Sequence, residues 1–228
     1  MIIYDYLTSS DGMGASTSEI DTTSFTTSAN NCDTDITITG GTQNRYECHG
    51  VVNLDQKPID VIDDILSSCV GILSYEQGLF NLNVGVATSS VTSITENDLL
   101  NEINVWTKPK RQELYNQVRG TFADESQNYI ATDFPIKEST SYQTSDGEVI
   151  AREINLPFTT NVVMAERIAL ILLKQSRNMI TLNFTGKATL LNLSVSWPKN
   201  VRYETNTKII NTKNNIEENI DFLINSLP

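Results

Sequence analysis

Residues 58–86 read PIDVIDDILSSCVGILSYEQGLFNLNVGV, and within this stretch the hydrophobic pattern changes from helical to strand-like at one glycine. From Pro58 to Val70 apolar side chains recur every three or four residues, which predicts an amphipathic helix. Pro58 suits the first helical turn, and Gly71 suits the end of the helix. Beyond Gly71 apolar and polar residues alternate on both sides of a turn at 76–78, which predicts an antiparallel hairpin with one buried face.

The two faces of the predicted helix differ in chemistry. Asp60, Asp63 and Asp64 lie on the face turned to water, and Asp60 also favours the positive end of the helix dipole. Cys69 belongs to the opposite, apolar face, so we expect a small core residue there rather than a nucleophile. That apolar stripe consists of Ile59, Ile62, Ile65, Leu66, Cys69 and Val70.

The rest of the chain repeats these two signals and predicts an α+β fold. We expect antiparallel β-hairpins and small sheets with two amphipathic helices plus a C-terminal helix. Thr160 or Asn161 can cap the second amphipathic helix at its amino terminus. The predicted elements after residue 86 are strands at 103–107, 114–122 and 150–157, a polar loop at 123–147, a helix at 161–177, a hairpin of 180–184 with 191–197, and a helix at 214–227.

Residues 8–42 differ in composition from the remainder of the chain. Sixteen of these 35 residues are Ser or Thr, and large apolar side chains are few. Such a segment buries little apolar surface by itself, so we expect a long surface loop with short strands such as 35–39, either a mobile insertion or a functional arm. The predicted domains are therefore a Ser/Thr-rich extended segment at 1–44, an α+β core at 45–198 in which a break near 101–125 would give two subdomains, and a C-terminal extension with a helix at 199–228.

Charge is distributed unevenly along the chain. The net charge is −12, and the first 100 residues hold 14 of the 28 acidic residues but only two bases, Arg45 and Lys57. This balance argues against specific nucleic-acid binding, which needs clustered Lys and Arg. The basic cluster of Lys108, Lys110 and Arg111 predicts a solvated turn or a surface that faces the acidic half of a neighbouring subunit.

Residues able to carry chemistry are sparse. His49 is the single histidine, so a two-histidine metal site within one chain is impossible, and its neighbour Cys48 would point to the opposite face of a strand. We therefore expect His49 at a strand end or on the surface. We assign no catalytic, cofactor-binding or metal-ligating residue, and we expect no cofactor and no enzymatic activity.

Cysteine usage and hydropathy bear on where the chain folds. Cys32, Cys48 and Cys69 form an odd and sparse set, which argues against a disulfide framework and favours folding in a reducing cytosol. The longest apolar run, at 168–173, is too short to cross a bilayer, and the first residues do not have the pattern of a signal peptide.

An ordered set of short motifs gives a family resemblance. The order and spacing of these motifs resemble the central tail-hub proteins of long-tailed bacteriophages, the tip attachment protein J family of lambda-like phages and prophages, and the resemblance covers roughly residues 5–193. The motifs are Asp5-Tyr-Leu-Thr8, Gly12-Met-Gly14, Ile20-Asp-Thr-Thr-Ser-Phe25, Ala29-Asn-Asn-Cys-Asp33, Arg45-Tyr-Glu-Cys-His-Gly-Val-Val52, Pro58-Ile-Asp60, Gly71-Ile-Leu-Ser-Tyr75, Asn116-Gln-Val-Arg-Gly-Thr-Phe122, Thr132-Asp-Phe-Pro135 and Glu153-Ile-Asn-Leu-Pro-Phe-Thr159.

The resemblance implies a virion structural protein, corresponding to an internal part of longer family members. Those proteins assemble as a trimeric ring that closes the distal end of the tail tube and joins it to the tip and host-recognition parts. The chain is then expected to form a homotrimer, to bind other phage tail proteins, and to contact the host surface only through modules outside this stretch. It would be made in the bacterial host cytoplasm and would reside at the tail tip of the virion. The resemblance does not account for the predicted helix at 214–227.

Two alternative functions stay open at this point. A tail-borne carbohydrate-active module or hydrolase would need two carboxylates at catalytic separation, at least one with a perturbed pKa. A receptor-binding module would need an exposed aromatic cluster on loops, for which Tyr129, Phe134 and Tyr142 are the candidates. If the chain is instead a structural tail-hub protein, an acidic surface such as the Asp60, Asp63 and Asp64 face could line a passage that DNA crosses without binding.

Overall fold

The structure is a computed structural model that describes residues 1–87, 92–102, 104–106, 114–177, 181–183, 185 and 201–204. The chain forms two compact units, the first from Met1–Gly85 with Lys110–Arg177 and the second from Val86–Pro109 with Asn178–Pro228. The domain boundaries expected near residues 44 and 198 stay predictions. Among the described residues, no helix is long and apolar enough to cross a membrane.

The described elements alternate irregularly between helices and short strands. The helices are α1 (Ile2–Thr8), α2 (Thr22–Cys32), α3 (Pro58–Ser67), α4 (Thr140–Asp146) and α5 (Val162–Gln175). The strands are β1 (Asp35–Ile38), β2 (Gly41–Asn44), β3 (Ile72–Glu76), β4 (Leu79–Asn83), β5 (Thr92–Thr95), β6 (Asn104–Trp106), β7 (Gln117–Asp124), β8 (Ile130–Asp133), β9 (Lys137–Glu138), β10 (Ala151–Leu156), β11 (Thr181–Asn183) and β12 (Val201–Glu204). This mixture confirms the predicted α+β class, whereas the helix predicted at 214–227 and the strand predicted at 191–197 lie outside the described residues.

Residues 58–83 fold as predicted, into a helix followed by a hairpin. Helix α3 begins at Pro58, and β3 and β4 pair as an antiparallel hairpin with Tyr75 opposite Phe80. The predicted apolar stripe is wrong at one position, because Ile59 is 59% exposed while Val61 is buried. Two residues along a helix differ by about 200° around its axis, so a helix that buries Val61 turns Ile59 away.

The Ser/Thr-rich segment contains the 11-residue helix α2, which corrects the prediction of a surface loop at 8–42. Helix α2 is capped by Asp21, whose Oδ1 accepts the N–H of Thr23 at 3.0 Å. The hydroxyls of α2 bind the neighbouring strand, because Ser28 Oγ donates to the Leu82 carbonyl at 2.8 Å and Ser24 Oγ accepts the Leu82 N–H at 3.2 Å. The hydroxyls of α2 thus bond the backbone of β4 as a neighbouring strand would. Amino-acid composition does not reveal such contacts. The strand expected at 35–39 is present as β1.

One hydrophobic core joins helices α1 and α2 to α3 and the β3–β4 hairpin. The Ser/Thr-rich segment contributes two large apolar side chains to this core, Ile20 and Phe25. The buried members are Ile3, Leu7, Ile20, Phe25, Val61, Ile62, Ile65, Leu66, Leu82 and Phe158.

A four-stranded sheet organises the later part of the first unit. β7 pairs in parallel with β10 and antiparallel with both β8 and β9. The parallel pair was not expected from the hairpin patterns, because the strands are joined by a long crossing connection that leaves no local turn signal. Helix α5 contacts β7 and is capped as predicted by Asn161, whose Oδ1 accepts the Val163 N–H at 2.8 Å.

Residues 123–147 contain short elements where a polar loop was predicted. They include β8, β9 and α4, and Phe134 between the strands is buried. Ser139 caps α4 by accepting the Tyr142 N–H at 3.4 Å, and Gly147 ends it with a left-handed φ of 76°. Elements of two to seven residues are too short to show a hydrophobic period, so the sequence pattern missed them.

Two of the motifs in the family resemblance meet in space. The His49 N–H donates to the Phe158 carbonyl at 2.9 Å, which joins segment 45–52 to segment 153–159. Gly120, in a third motif, lies at a tight contact between β7 and β10, because a Cβ there would be 1.8 Å from the Ile154 carbonyl oxygen.

The described part of the second unit consists of two strand pairs. β5 pairs in parallel with β12, and β6 pairs antiparallel with β11, with Trp106 opposite Thr181. The Leu100 N–H donates to the Thr185 carbonyl at 2.8 Å. The strand predicted at 103–107 is therefore present as β6.

Candidate functional site

A cleft of about 390 Å³ opens in the first unit among helices α1, α2 and α3 and the β3–β4 hairpin. Ala29 of α2, Ile65 of α3 and Leu82 of β4 belong to its apolar lining. Asp33 and Glu47 add carboxylates to the same cleft, and Asp33 is exposed. Clefts of this size and apolar character are common ligand and partner sites.

All three cysteines of the chain line this cleft, and each is a free thiol. Cys32 is the last residue of α2, Cys48 lies in the segment after β2, and Cys69 follows α3. Cys69 is buried, which confirms the predicted core role, and its thiol lies 3.5 Å from the Leu66 carbonyl oxygen. The three are far apart in sequence, so the fold brings together residues that the sequence did not connect.

Burial controls the chemistry of these thiols. Burial raises the pKa of Cys32 to about 11, with the Asp33 carboxylate adding to the shift and Arg45 opposing it. Burial likewise raises the pKa of Cys48 and of Cys69. The thiolate is the nucleophile and the metal ligand, so thiols held protonated at neutral pH favour neither role. Within the described ranges, no group of three His, Cys, Asp or Glu side chains could hold a metal ion.

His49 lies on the surface at the edge of the same cleft. Its side chain is 56% exposed, and its Nε2 is 3.5 Å from Glu47 Oε2. The backbone bond to Phe158 fixes its position in the segment. This is the surface placement that the sequence predicted.

A second buried group of polar side chains lies where β7 begins, and we call it the Asn116 cluster. Asn116 is fully buried, and its Nδ2 donates to Asp146 Oδ2 at 2.8 Å and to the Glu148 carbonyl at 2.9 Å. Its Oδ1 accepts the Ile150 N–H at 2.8 Å. Arg177 completes the cluster with two hydrogen bonds to the Asp146 carboxylate, of which Nη1 to Oδ1 measures 2.9 Å.

The Asn116 cluster fastens α4 and its following loop to the end of α5. The hydrogen bond to Asp146 raises the pKa of Arg177, because it favours the charged guanidinium. The same guanidinium lies 4.5 Å from the ring centre of Tyr142 in α4. These groups use one another as partners across three elements, so their role is to hold the fold.

The three aromatic residues considered for receptor binding do not form one exposed group. Phe134 is 3% exposed, and Tyr142 is half-buried under Arg177. Tyr129 is 62% exposed in the turn after β7, where its φ of 61° is left-handed. The receptor-binding alternative therefore loses two of its three candidates.

The acidic face predicted on α3 is confirmed. Asp60 and Asp63 are exposed and Asp64 is half-buried. Partial burial raises the pKa of Asp64, and the charges of Asp60 and Asp63 raise it further. The predicted basic cluster at 108–111 lies outside the described residues.

This chain resembles a solved virion structure in its fold. No protein-family model matches the sequence, and no curated protein matches it significantly. Among solved structures, the chain superposes on a chain of "Virion of native gene transfer agent (GTA) particle" with a TM-score of 0.51 and 16% identity, covering 66% of this chain and 34% of that one. The likeness is one of fold. The present chain spans about a third of the length of that virion chain.

The cleft and the Asn116 cluster are the features that sequence reasoning missed. The cleft is formed from segments around residues 1–3, 28–33, 44–49 and 65–84, which carry no common motif. Asn116 stands at the start of a quoted motif, but an isolated Asn before a strand predicts no buried partner. The clearest available signal was the concentration of all three cysteines in the first 69 residues.

Proposed function

We propose that the chain is a structural component of a phage tail tip, a tail-hub element that binds itself and joins the tail tube to host-recognition parts. The observation that carries the proposal is the fold shared with a chain of the gene transfer agent virion. The ordered motifs that resemble tail-hub proteins support the narrower assignment. Contact between two of these motifs, through His49 and Phe158, adds to that support.

The chemistry of the first unit favours a structural role over a hydrolytic one. The cleft holds neutral thiols, and its histidine is at the surface. Asp64 is a carboxyl group with a raised pKa, but it shares an exposed helical face with Asp60 and Asp63. A catalytic acid of a glycosidase needs a second carboxylate across a substrate groove. A helix face turned to water offers no such groove.

The proposed partners follow from the proposed position. A hub element contacts copies of itself around the tail axis, and we propose a homotrimer. It contacts the tail tube on one side and tip proteins on the other, so it resides in the virion after synthesis in the bacterial host cytoplasm.

Labelling of virus particles tests the proposed location. Antibodies raised against the purified chain should bind particles from a lysate of the producing bacterium at the distal end of the tail, as seen by electron microscopy with gold. Antibodies absorbed beforehand with the purified chain are the control. Labelling of heads, or of no particle while the chain is present in the lysate, would contradict the proposal.

A further inference from the structure

The four-stranded sheet of the first unit has an open edge along β10. The Ile150 carbonyl accepts the Gln117 N–H at 3.2 Å, so the even-numbered residues of β10 direct their backbone groups towards β7. The N–H and C=O groups of Ala151, Glu153 and Asn155 therefore point away from β7, and all three residues are exposed. Within the part of the chain that the structure describes, no hydrogen bond reaches these groups. An unpaired row of this kind is a template for another strand.

The opposite edge of the same sheet is open along β8. β8 pairs antiparallel with β7, and the Phe134 N–H just beyond it donates to the Gly120 carbonyl at 3.1 Å. Even-numbered residues again face β7, so the N–H and C=O groups of Ala131 and Asp133 point outward, and both residues are exposed. Pro135 follows, and because proline has no N–H it limits strand addition beyond β8.

The two open edges are compatible with each other. On both edges the outward backbone groups belong to residues whose side chains lie on one face of the sheet, the face that carries Arg119. We propose that β8 of one copy of the chain adds to β10 of a second copy and extends the sheet across the contact. The proposal rests on the self-association proposed above and names the surfaces that produce it.

The directions of the two strands fit a ring. β10 is parallel and β8 antiparallel to β7, so the two edge strands of one copy run in opposite directions. Rotation about an axis along the strands keeps these directions, and β8 then meets β10 of the next copy as an antiparallel partner. A contact between two unlike edges is heterologous, and its repetition around that axis closes a ring.

Charge and backbone pattern select one register for this contact. Three antiparallel registers place all four residues of β8 opposite residues of β10. One of them sets outward-pointing groups of one strand against inward-pointing groups of the other, so it forms no ladder. A second puts Asp133 opposite Glu153, and like charges directly opposite each other are destabilising. The third puts Asp133 opposite Ala151 and gives Ile130, which is 65% exposed, an apolar partner in Ile154.

Proline substitution tests the main-chain pairing. Glu153→Pro removes an outward N–H, and proline is tolerated in an edge strand where the N–H faces solvent. The variant should stay folded by circular dichroism, and its self-association in light scattering should weaken at least about tenfold, because main-chain hydrogen bonds supply the affinity of an added strand. Glu153→Ala, which removes the same carboxylate and keeps the N–H, is the matched control. Equal assembly of the proline and alanine variants would overturn the proposal.

Paired cysteines test the register and do not depend on how the proline variant folds. Ile130→Cys with Ile154→Cys in one chain sets two thiols opposite each other across the contact. Within one copy β7 separates these positions by about 10 Å, too far for a disulfide. Glutathione disulfide, reduced to two thiols as each new bond forms, should therefore give covalent oligomers on a non-reducing gel.

A shift of one residue provides the control for the cysteine pair. Ile130→Cys with Glu153→Cys puts the two thiols on opposite faces of the extended sheet, so cross-linking should stay at the background that the native thiols of the unaltered chain produce. Cross-linking of the Ile130 and Ile154 pair no greater than that of this control would overturn the proposal.

The outcomes separate this inference from the proposed function. Gold labelling of tail ends together with unchanged assembly of the proline variant would leave the tail-tip role and remove β8 and β10 as its interface. Loss of assembly in that variant with no labelling of particles would keep the contact and contradict the tail-tip location.

Discussion

The cleft and the Asn116 cluster both lie in the first unit, yet the chain fills them very differently. In the cluster, Asn116, Asp146 and Arg177 bind one another directly, and Asn116 has no exposed surface. In the cleft, aliphatic side chains and neutral thiols surround about 390 Å³ of open space. The difference teaches that the polar group holds elements of one chain together, whereas the apolar cleft has room for a group from elsewhere.

The largest expected effect comes from breaking the Asn116 cluster. Asp146→Ala leaves Arg177 charged and mostly buried, with its side chain 17% exposed. Removing one partner of such a pair should lower the free energy of unfolding by about 3 kcal/mol. Urea-induced unfolding followed by circular dichroism measures the change.

An exposed pair on the sheet is the matched control for that experiment. Arg119 and Glu153 face each other across β7 and β10, with 52% and 71% of their side chains exposed. Glu153→Ala should change the free energy of unfolding by less than about 1 kcal/mol. Equal losses for Asp146→Ala and Glu153→Ala would show that the cluster is not the stronger contact.

Replacing an alanine with leucine distinguishes a tightly packed site from the open cleft. Ala165 in α5 is fully buried, so Ala165→Leu should cost about 2 kcal/mol through overpacking. Ala29 lines the cleft, so Ala29→Leu can place its added atoms in open space and should leave the stability nearly unchanged. Thermal unfolding of both variants checks this. A larger loss for Ala29→Leu would mean that the cleft is closed in solution.

A smaller effect is expected from the pH dependence of the thiols. The pKa of Cys32 rises from 9.0 to about 11 on folding, so the protonated thiol is favoured by the folded state. Its contribution to stability is complete below pH 9 and is lost as pH rises toward 11. Between pH 8 and 10 the loss should be about 1 kcal/mol, and Cys32→Ser should remove that part of the pH dependence. Identical slopes for the variant and the unaltered chain would refute the burial of this thiol.

The sequence predicted those regions in which neighbouring residues decide the structure. Helix α3, the hairpin of β3 and β4, and the Asn161 cap of α5 all follow from patterns shorter than about 15 residues. Local patterns did not predict the structure of the Ser/Thr-rich segment, because α2 is stabilised by hydroxyl contacts to Leu82, more than 50 residues away. Propensity cannot anticipate a partner that only tertiary structure supplies.

The candidate site was harder to predict than the fold for the same reason. Cys69 was correctly placed on the buried face of α3 because helical periodicity is local. Its approach to Cys32 and Cys48 depends on how α2, α3 and the segment after β2 pack, and no spacing in the chain encodes that. The parallel pairing of β7 with β10 was missed because no turn joins the two strands directly.

The most direct test of self-association, the central claim, is the mass of the full chain measured by light scattering over a wide range of protein concentration. The account predicts a species of three times the mass of one chain. A mass of one chain at every concentration would contradict a hub element that assembles through its own surfaces.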